Sequence, residues 1–169
     1  MTVDAIDVKI LEVLQENARV SISELSRKIN LSLSAASDRL KKLEAAGVIR
    51  QYTAVLDPAA MDRELNAYMM INVDNSGSIA DLIKLIESSG EILEAYFVAG
   101  DCDYILKIAT RDTKTLAELV NKVKAVKSVK STETTTLLNK YKQLFSIPPH
   151  ASRESRRPRM PRNADTILT

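Results

Sequence analysis

The sequence predicts an α+β chain of two domains, a helical N-terminal part followed by an antiparallel sheet with helices on one face. Three observations carry this. Apolar residues recur at helical spacing in three short segments of the first 47 residues. From residue 65 the pattern becomes strand, helix, strand, strand, helix, strand. Between the two lies a strand-like linker closed by Asp57-Pro58.

In residues 4–17, Ile6, Ile10, Val13 and Leu14 form one stripe behind Asp4 and Asp7, which sit at the positive end of the helix dipole. Ser21 and Glu24 form a capping-box pattern for a second helix over 22–29, with Ile22, Leu25 and Ile29 on its inner face. Asn30-Leu31-Ser32 supplies turn and cap formers. A third helix over 34–46 carries Ala36, Leu40 and Leu43 inward and ends at Gly47, placed as a C′ residue. Three helices with a short turn between the last two make a helix-turn-helix domain over 1–47, whose third helix is free to enter a DNA groove. Residues 48–64 read as a strand and hinge linker, with VIRQYTAVL (48–56) as the strand.

Over 65–145 the expected elements are strands 66–73, 92–99, 104–110 and 129–141, helices 79–89 and 113–127, and a turn at 100–103. Helix stripes Ile79, Leu82, Ile83, Ile86 and Leu116, Leu119, Val120, Val123 support them. The order βαββαβ predicts a ferredoxin-like domain. Strict alternation makes strand 92–99 apolar on both faces, with Ile92, Tyr96 and Val98 on one and Leu93, Ala95, Phe97 and Ala99 on the other. Strand 66–73 repeats the pattern, Met69, Ile71 and Val73 alternating with Tyr68 and Met70. Two helices cover one face only, so a second subunit packing sheet to sheet, and hence an obligate homodimer, is expected.

Of the 169 residues, 45% are hydrophobic and 27% charged, which is ordinary for a folded chain. No stretch approaches 18 consecutive apolar residues and the N-terminus is acidic, so neither a membrane span nor a secretion signal is expected and the protein reads as cytoplasmic. One cysteine, Cys102, and one histidine, His150, give no internal disulfide and no zinc ligand set; no metal or cofactor is expected. The net charge of +2 conceals a split: residues 141–169 hold six basic residues against two acids, leaving −2 for the rest. Residues 146–169, with four prolines, five arginines and no periodicity, read as a disordered basic tail.

The free face of the third helix offers Ser34, Ser37, Asp38, Lys41 and Lys42, with Arg39 beside them. Short hydroxyls allow close approach to base edges and the cations suit phosphates, although such charges also serve as a solvated face. At the turn, Gly100 would allow tight backbone approach, and Asp101 and Asp103 suit a ligand ammonium; the same residues also make a plain β-turn. Catalysis has little support, because no nucleophile motif or phosphate-binding glycine loop occurs.

The stretches DAIDVKILEVLQENARVSISELSRKINLSLSAASDRLKKLEAAGVIRQYTAVLDP and EAYFVAGDCDYILKI resemble the Lrp/AsnC (feast/famine) family of bacterial and archaeal transcriptional regulators. The resemblance covers roughly 3–145. It implies a helix-turn-helix reading double-stranded DNA as a dimer, a ferredoxin-like domain that dimerises and often builds octamers, and small amino-acid effectors bound between subunits. By position it puts Ser32, Ser34, Ser37, Arg39 and Lys42 at DNA and Gly100, Asp101, Asp103 and Tyr104 on the effector loop, with Thr134, Thr135 and Thr136 near the same pocket. The chain departs from the family at Leu33, where proline is usual, and in its Arg-rich extension. The Lrp-like sirohaem decarboxylases share the two-domain plan but need a histidine-bearing pocket, and residues 1–145 contain no histidine, so a non-enzymatic regulator is expected. The alternatives are such an enzyme, a ligand-independent DNA-architectural protein, or a scaffold whose tail binds RNA or membrane.

Overall fold

Helix α1, Ala5–Glu16, begins at a reciprocal cap. The Asp4 carboxylate accepts from the backbone N–H of Ile6 and Asp7 at 2.8 and 2.9 Å, and the Asp7 carboxylate accepts from the Asp4 N–H at 3.1 Å. Helix α2, Ile22–Ile29, is capped by Ser21, which accepts from Glu24 N–H, and ends at Asn30 in the left-handed conformation. Helix α3, Leu33–Ala45, is capped by Ser32 and closes on Gly47 at φ 68°, with Gly47 N–H bonded to the Glu44 carbonyl and Val48 N–H to that of Leu43. That is a Schellman end, the reason a glycine stands at 47. Ile10, Leu25, Ile29, Ala36 and Leu43 form the buried core of the three helices.

This computed structural model describes residues 2–74 and 76–151. The chain divides into two units, residues 1–54 with the C-terminal residues from 144, and residues 55–143. The strand expected over 48–56 is absent: Val48 and Ile49 bend back to the Leu43 carbonyl, the residues after them join no ladder, and 50–60 are all exposed. An isolated strand leaves its N–H and C=O groups unpaired, and the helical unit offers no second strand to bond them. A 3-10 turn, Ala59–Met61, follows. Of the tail expected over 146–169, residues 152–169 lie outside the described residues. Residues 146–150 carry no regular structure, yet Gln15 Nε2 donates to the Ile147 carbonyl at 2.7 Å, tying this stretch to α1.

The second unit contains β1 (Leu65–Val73), α4 (Ile79–Ser88), β2 (Ile92–Phe97), β3 (Tyr104–Thr110), α5 (Thr113–Lys124) and β4 (Val129–Leu137). The strands form one antiparallel sheet in the order β2-β3-β1-β4. Ala67, Met69, Ile71, Leu106 and Ile108 pack with Leu82 of α4 and Leu116, Leu119 and Val123 of α5, so both helices cover the same face. The sheet is ferredoxin-like, as expected.

Strand β2 ends at Phe97 and β4 at Leu137, both earlier than expected. A register shift between Ile92 and Glu94 also changes the faces of β2: Ile92 pairs with Ile108 and Phe97 with Tyr104, both on the helix side. Strict alternation had set Ile92 and Phe97 on opposite faces, and one inserted residue, Leu93, joins them. The other face carries Glu94, Tyr96, Ile105, Lys107, Tyr68 and Met70, where Glu94 accepts hydrogen bonds from both Tyr96 Oη and Lys107 Nζ. It is therefore a mixed surface rather than a uniformly apolar one.

Candidate functional site

On α3 the predicted residues separate by role. Ser32 is the N-cap, its Oγ accepting from Ala35 N–H at 3.2 Å and lying 3.2 Å from Ser34 Oγ. Ser34, Asp38, Lys41 and Lys42 are exposed and Ser37 is half-buried. Among the described residues, Lys41 and Lys42 make no ion pair, which leaves both cations available to phosphates. Arg39 differs. Its Nη1 lies 2.8 Å from Asp4 Oδ2 and 2.8 Å from Asp7 Oδ1, so its charge is directed at the start of α1. These hydrogen bonds hold the Arg39 pKa above its ordinary value. Leu33, unlike the core leucines, is 57% exposed in the first turn of α3, beside Ser34. Periodicity could not single it out, because one apolar residue outside the stripe carries no signal.

The loop between β2 and β3 is held from within. Val98 N–H bonds the Asp103 carbonyl, Asp103 N–H bonds the Ile71 carbonyl, and Asp103 Oδ2 accepts from Val73 N–H at 2.8 Å. Asp103 thus fixes the loop to the end of β1, and Asp101 is the exposed carboxylate. Gly100 has no positive φ, and a Cβ built there meets nothing within 4 Å, so neither backbone conformation nor packing within the unit requires the glycine. Tyr104 points to the helix side and packs on Phe97, ring centroids 5.3 Å apart.

Asp101 and Cys102 border a cavity of about 320 Å³ with Met70, Asn72, Ser131, Thr132 and Glu133. The sequence did not suggest Met70, Asn72, Ser131 or Glu133, since only the sheet register brings β1 and β4 to this loop. The threonine run is divided by the pleat. Thr134 and Thr136 line a second cleft of about 410 Å³ against α5, whereas Thr135 pairs with Tyr68 on the other face. The structure therefore does not gather the three threonines around the loop. Among the described residues no cluster of three or more metal-ligating side chains occurs, and no helix is long and apolar enough to cross a membrane.

Residues 3–50 match the model described as winged helix-turn-helix DNA-binding, and residues 66–147 match the Lrp/AsnC ligand binding domain. The HTH-type transcriptional regulator LrpB of Bacillus subtilis is 36% identical over 121 residues, covering 72% of this chain and 80% of its own. The chain belongs to the Lrp/AsnC family. A transcriptional regulator of Neisseria meningitidis, solved as a complex with L-methionine, superposes with a TM-score of 0.82 at 32% identity, over 87% of this chain and 97% of that one. The feast or famine regulatory protein of Mycobacterium tuberculosis, also solved with L-methionine, gives 0.77 at 29% identity, over 87% and 99%. This Lrp/AsnC protein is accordingly a DNA-binding transcriptional regulator with an amino-acid-binding domain, and its relatives are regulators, not enzymes.

Proposed function

We propose that this regulator is a cytoplasmic homodimer, assembling further into a ring such as an octamer, whose assembly or DNA affinity responds to a small apolar amino acid bound at the 98–103 loop. The observation that carries the effector reading is the cavity shared by Asp101 and Glu133, two carboxylates with no cation among the lining residues. Such a site favours an ammonium, and Met70 offers an apolar contact for the side chain. The ligand's own carboxylate needs donors from backbone N–H groups or a second subunit, in keeping with a site completed by assembly. The methionine held by the Neisseria and Mycobacterium proteins makes methionine the first ligand to try.

At DNA, Lys41 and Lys42 meet phosphates, and Ser34, Ser37 and Asp38 meet base edges. Calorimetry of the twenty amino acids against the full chain tests the sensor. Binding of at least one, with operator affinity changed about 5- to 150-fold in its presence, is expected. No heat with any of them would leave a ligand-independent DNA-architectural protein.

A further inference from the structure

The Arg-rich extension has no part in the function described so far, and its point of attachment gives it one. Residues 1–54 contain eight basic and seven acidic side chains, a balance of only +1. One of the eight, Arg39, is already paired with Asp4 and Asp7. This is a weak electrostatic footprint for a unit that binds a polyanion, because the sequence-independent part of DNA affinity scales with the number of phosphates neutralised. Residues 152–169 supply Arg153, Arg156, Arg157, Arg159 and Arg162 against Glu154 and Asp165, a balance of +3.

The chain arrives at that segment from the helical unit and not from the sheet. Residues from Leu144 onward group with residues 1–54, the Gln15 amide donates to the Ile147 carbonyl, and Pro149 and Ala151 are half-buried. From Ala151 to Arg162 the chain can span at most roughly 40 Å, at about 3.3–3.6 Å per residue. A unit of 54 residues has a radius of gyration of about 10 Å, so a tether of that length is sufficient to bring the arginines to duplex beside α3. Tethering also holds them at high effective concentration beside bound DNA.

We propose that the C-terminal arginines are a second DNA-contacting element, which binds backbone phosphates flanking the helix-turn-helix and adds affinity without adding sequence preference. The inference rests on the helix-turn-helix reading of α3. Arginine suits the task through its permanent charge and its fork of donors for phosphate oxygens. RNA and an anionic membrane surface are the competing partners for the same charge.

The test compares the full chain with a variant carrying R153Q, R156Q, R157Q, R159Q and R162Q, all beyond the described fold. Affinity is measured across a range of salt for a mixed-sequence duplex and for a duplex selected from genomic DNA by the unmodified protein. The expected result is a salt slope lower by about 0.9 per arginine in contact, hence by up to 4–5 per protomer, with at least tenfold weaker binding to both duplexes. The ratio between the duplexes should not change. An unchanged slope and affinity would overturn the inference, as would loss of binding only to single-stranded RNA or anionic vesicles. A K41A/K42A variant separates the two claims. If it keeps both the affinity and the salt slope of the unmodified chain the reading of α3 fails, whereas equal binding by the arginine variant and the unmodified chain defeats only the tail.

Discussion

Arg39 and Asp7 are joined through one guanidinium nitrogen, Nη1, which lies 2.8 Å from Asp7 Oδ1 and equally close to Asp4 Oδ2. The Asp7 carboxylate is 3% exposed, so this contact ties α3 to the start of α1 while neutralising a buried charge. Arg39→Ala should destabilise the helical unit by about 1–3 kcal/mol, short of the full cost of breaking a buried pair because the arginine is 32% exposed. Denaturant midpoints measure this. The salt slope of DNA binding should stay as it is; a fall of about one unit would return Arg39 to the phosphates.

Acid should act on the same contact. Burial raises the Asp4 pKa, but the Asp7 N–H, the Arg39 guanidinium and the Ile6 N–H together outweigh it and hold the group below its ordinary 3.8. With the folded value below the unfolded one, its contribution is complete above pH 3.8 and disappears as pH falls through the folded value. Asp4→Asn keeps a good N-cap and removes the titration. Its thermal midpoint should therefore fall less steeply than that of the unmodified chain as pH drops below 3.8. Parallel curves would exclude Asp4 from the acid response.

The two loop carboxylates should separate cleanly. Asp101→Asn should weaken amino-acid binding about tenfold or more and leave the melting temperature unchanged, since Asp101 is exposed and borders the cavity. Asp103→Ala removes the acceptor for Val73 N–H and should cost about 1–3 kcal/mol. Calorimetry and melting curves on both variants decide the matter; the reverse assignment would make Asp103 the ligand contact.

Glycines 77 and 100 offer a matched pair. A Cβ at Gly77 would lie 2.7 Å from Lys127 Cβ and 2.7 Å from the Ser128 N, where the loop before α4 crosses the turn before β4. Gly77→Ala should cost about 1–3 kcal/mol through overpacking. Gly100→Ala should cost nothing in stability and register instead in ligand affinity. Equal melting temperatures for the Gly77 variant and the unmodified chain would refute the close approach.

Leu33 occupies the first position of α3 after Ser32, which already has φ −65° and ψ 155°. That is the conformation a following proline demands, and the first helical position is where proline is tolerated best. Leu33→Pro should raise stability by about 0.4–1 kcal/mol and also change the preferred DNA sequence, because 57% of the leucine is exposed beside Ser34. Selection of bound sequences with both proteins checks the second half.

The helices and the order of elements along the chain were readable because caps and periodicity are local: Asp4, Ser21, Asn30, Ser32 and Gly47 each act within a turn of their own position. The linker strand was misread for a non-local reason, since its β-prone residues have no ladder partner in the helical unit. The helix face of α3 was legible, yet the commitment of Arg39 to Asp4 and Asp7 depends on residues 32 and 35 positions away. Likewise the loop could be found from its carboxylates, whereas Glu133 and Met70 join it only through the β1–β4 register. The faces of β2 were lost to a single inserted residue.

A four-stranded sheet has two outer edges, and each is a potential template for runaway strand addition. On the β2 side, the residue inserted at Leu93 breaks the regular spacing of outward N–H and C=O groups, so an incoming strand cannot pair along its length. The β4 side keeps an unbroken register with β1 from Ser131 to Leu137, and its threonines favour extended structure. Lys130 and Glu133 are the charges that discourage stacking there. Polymerisation of misassembled or overproduced protein should therefore grow from β4, and neutralising Glu133 would remove a gatekeeper as well as a wall of the cavity.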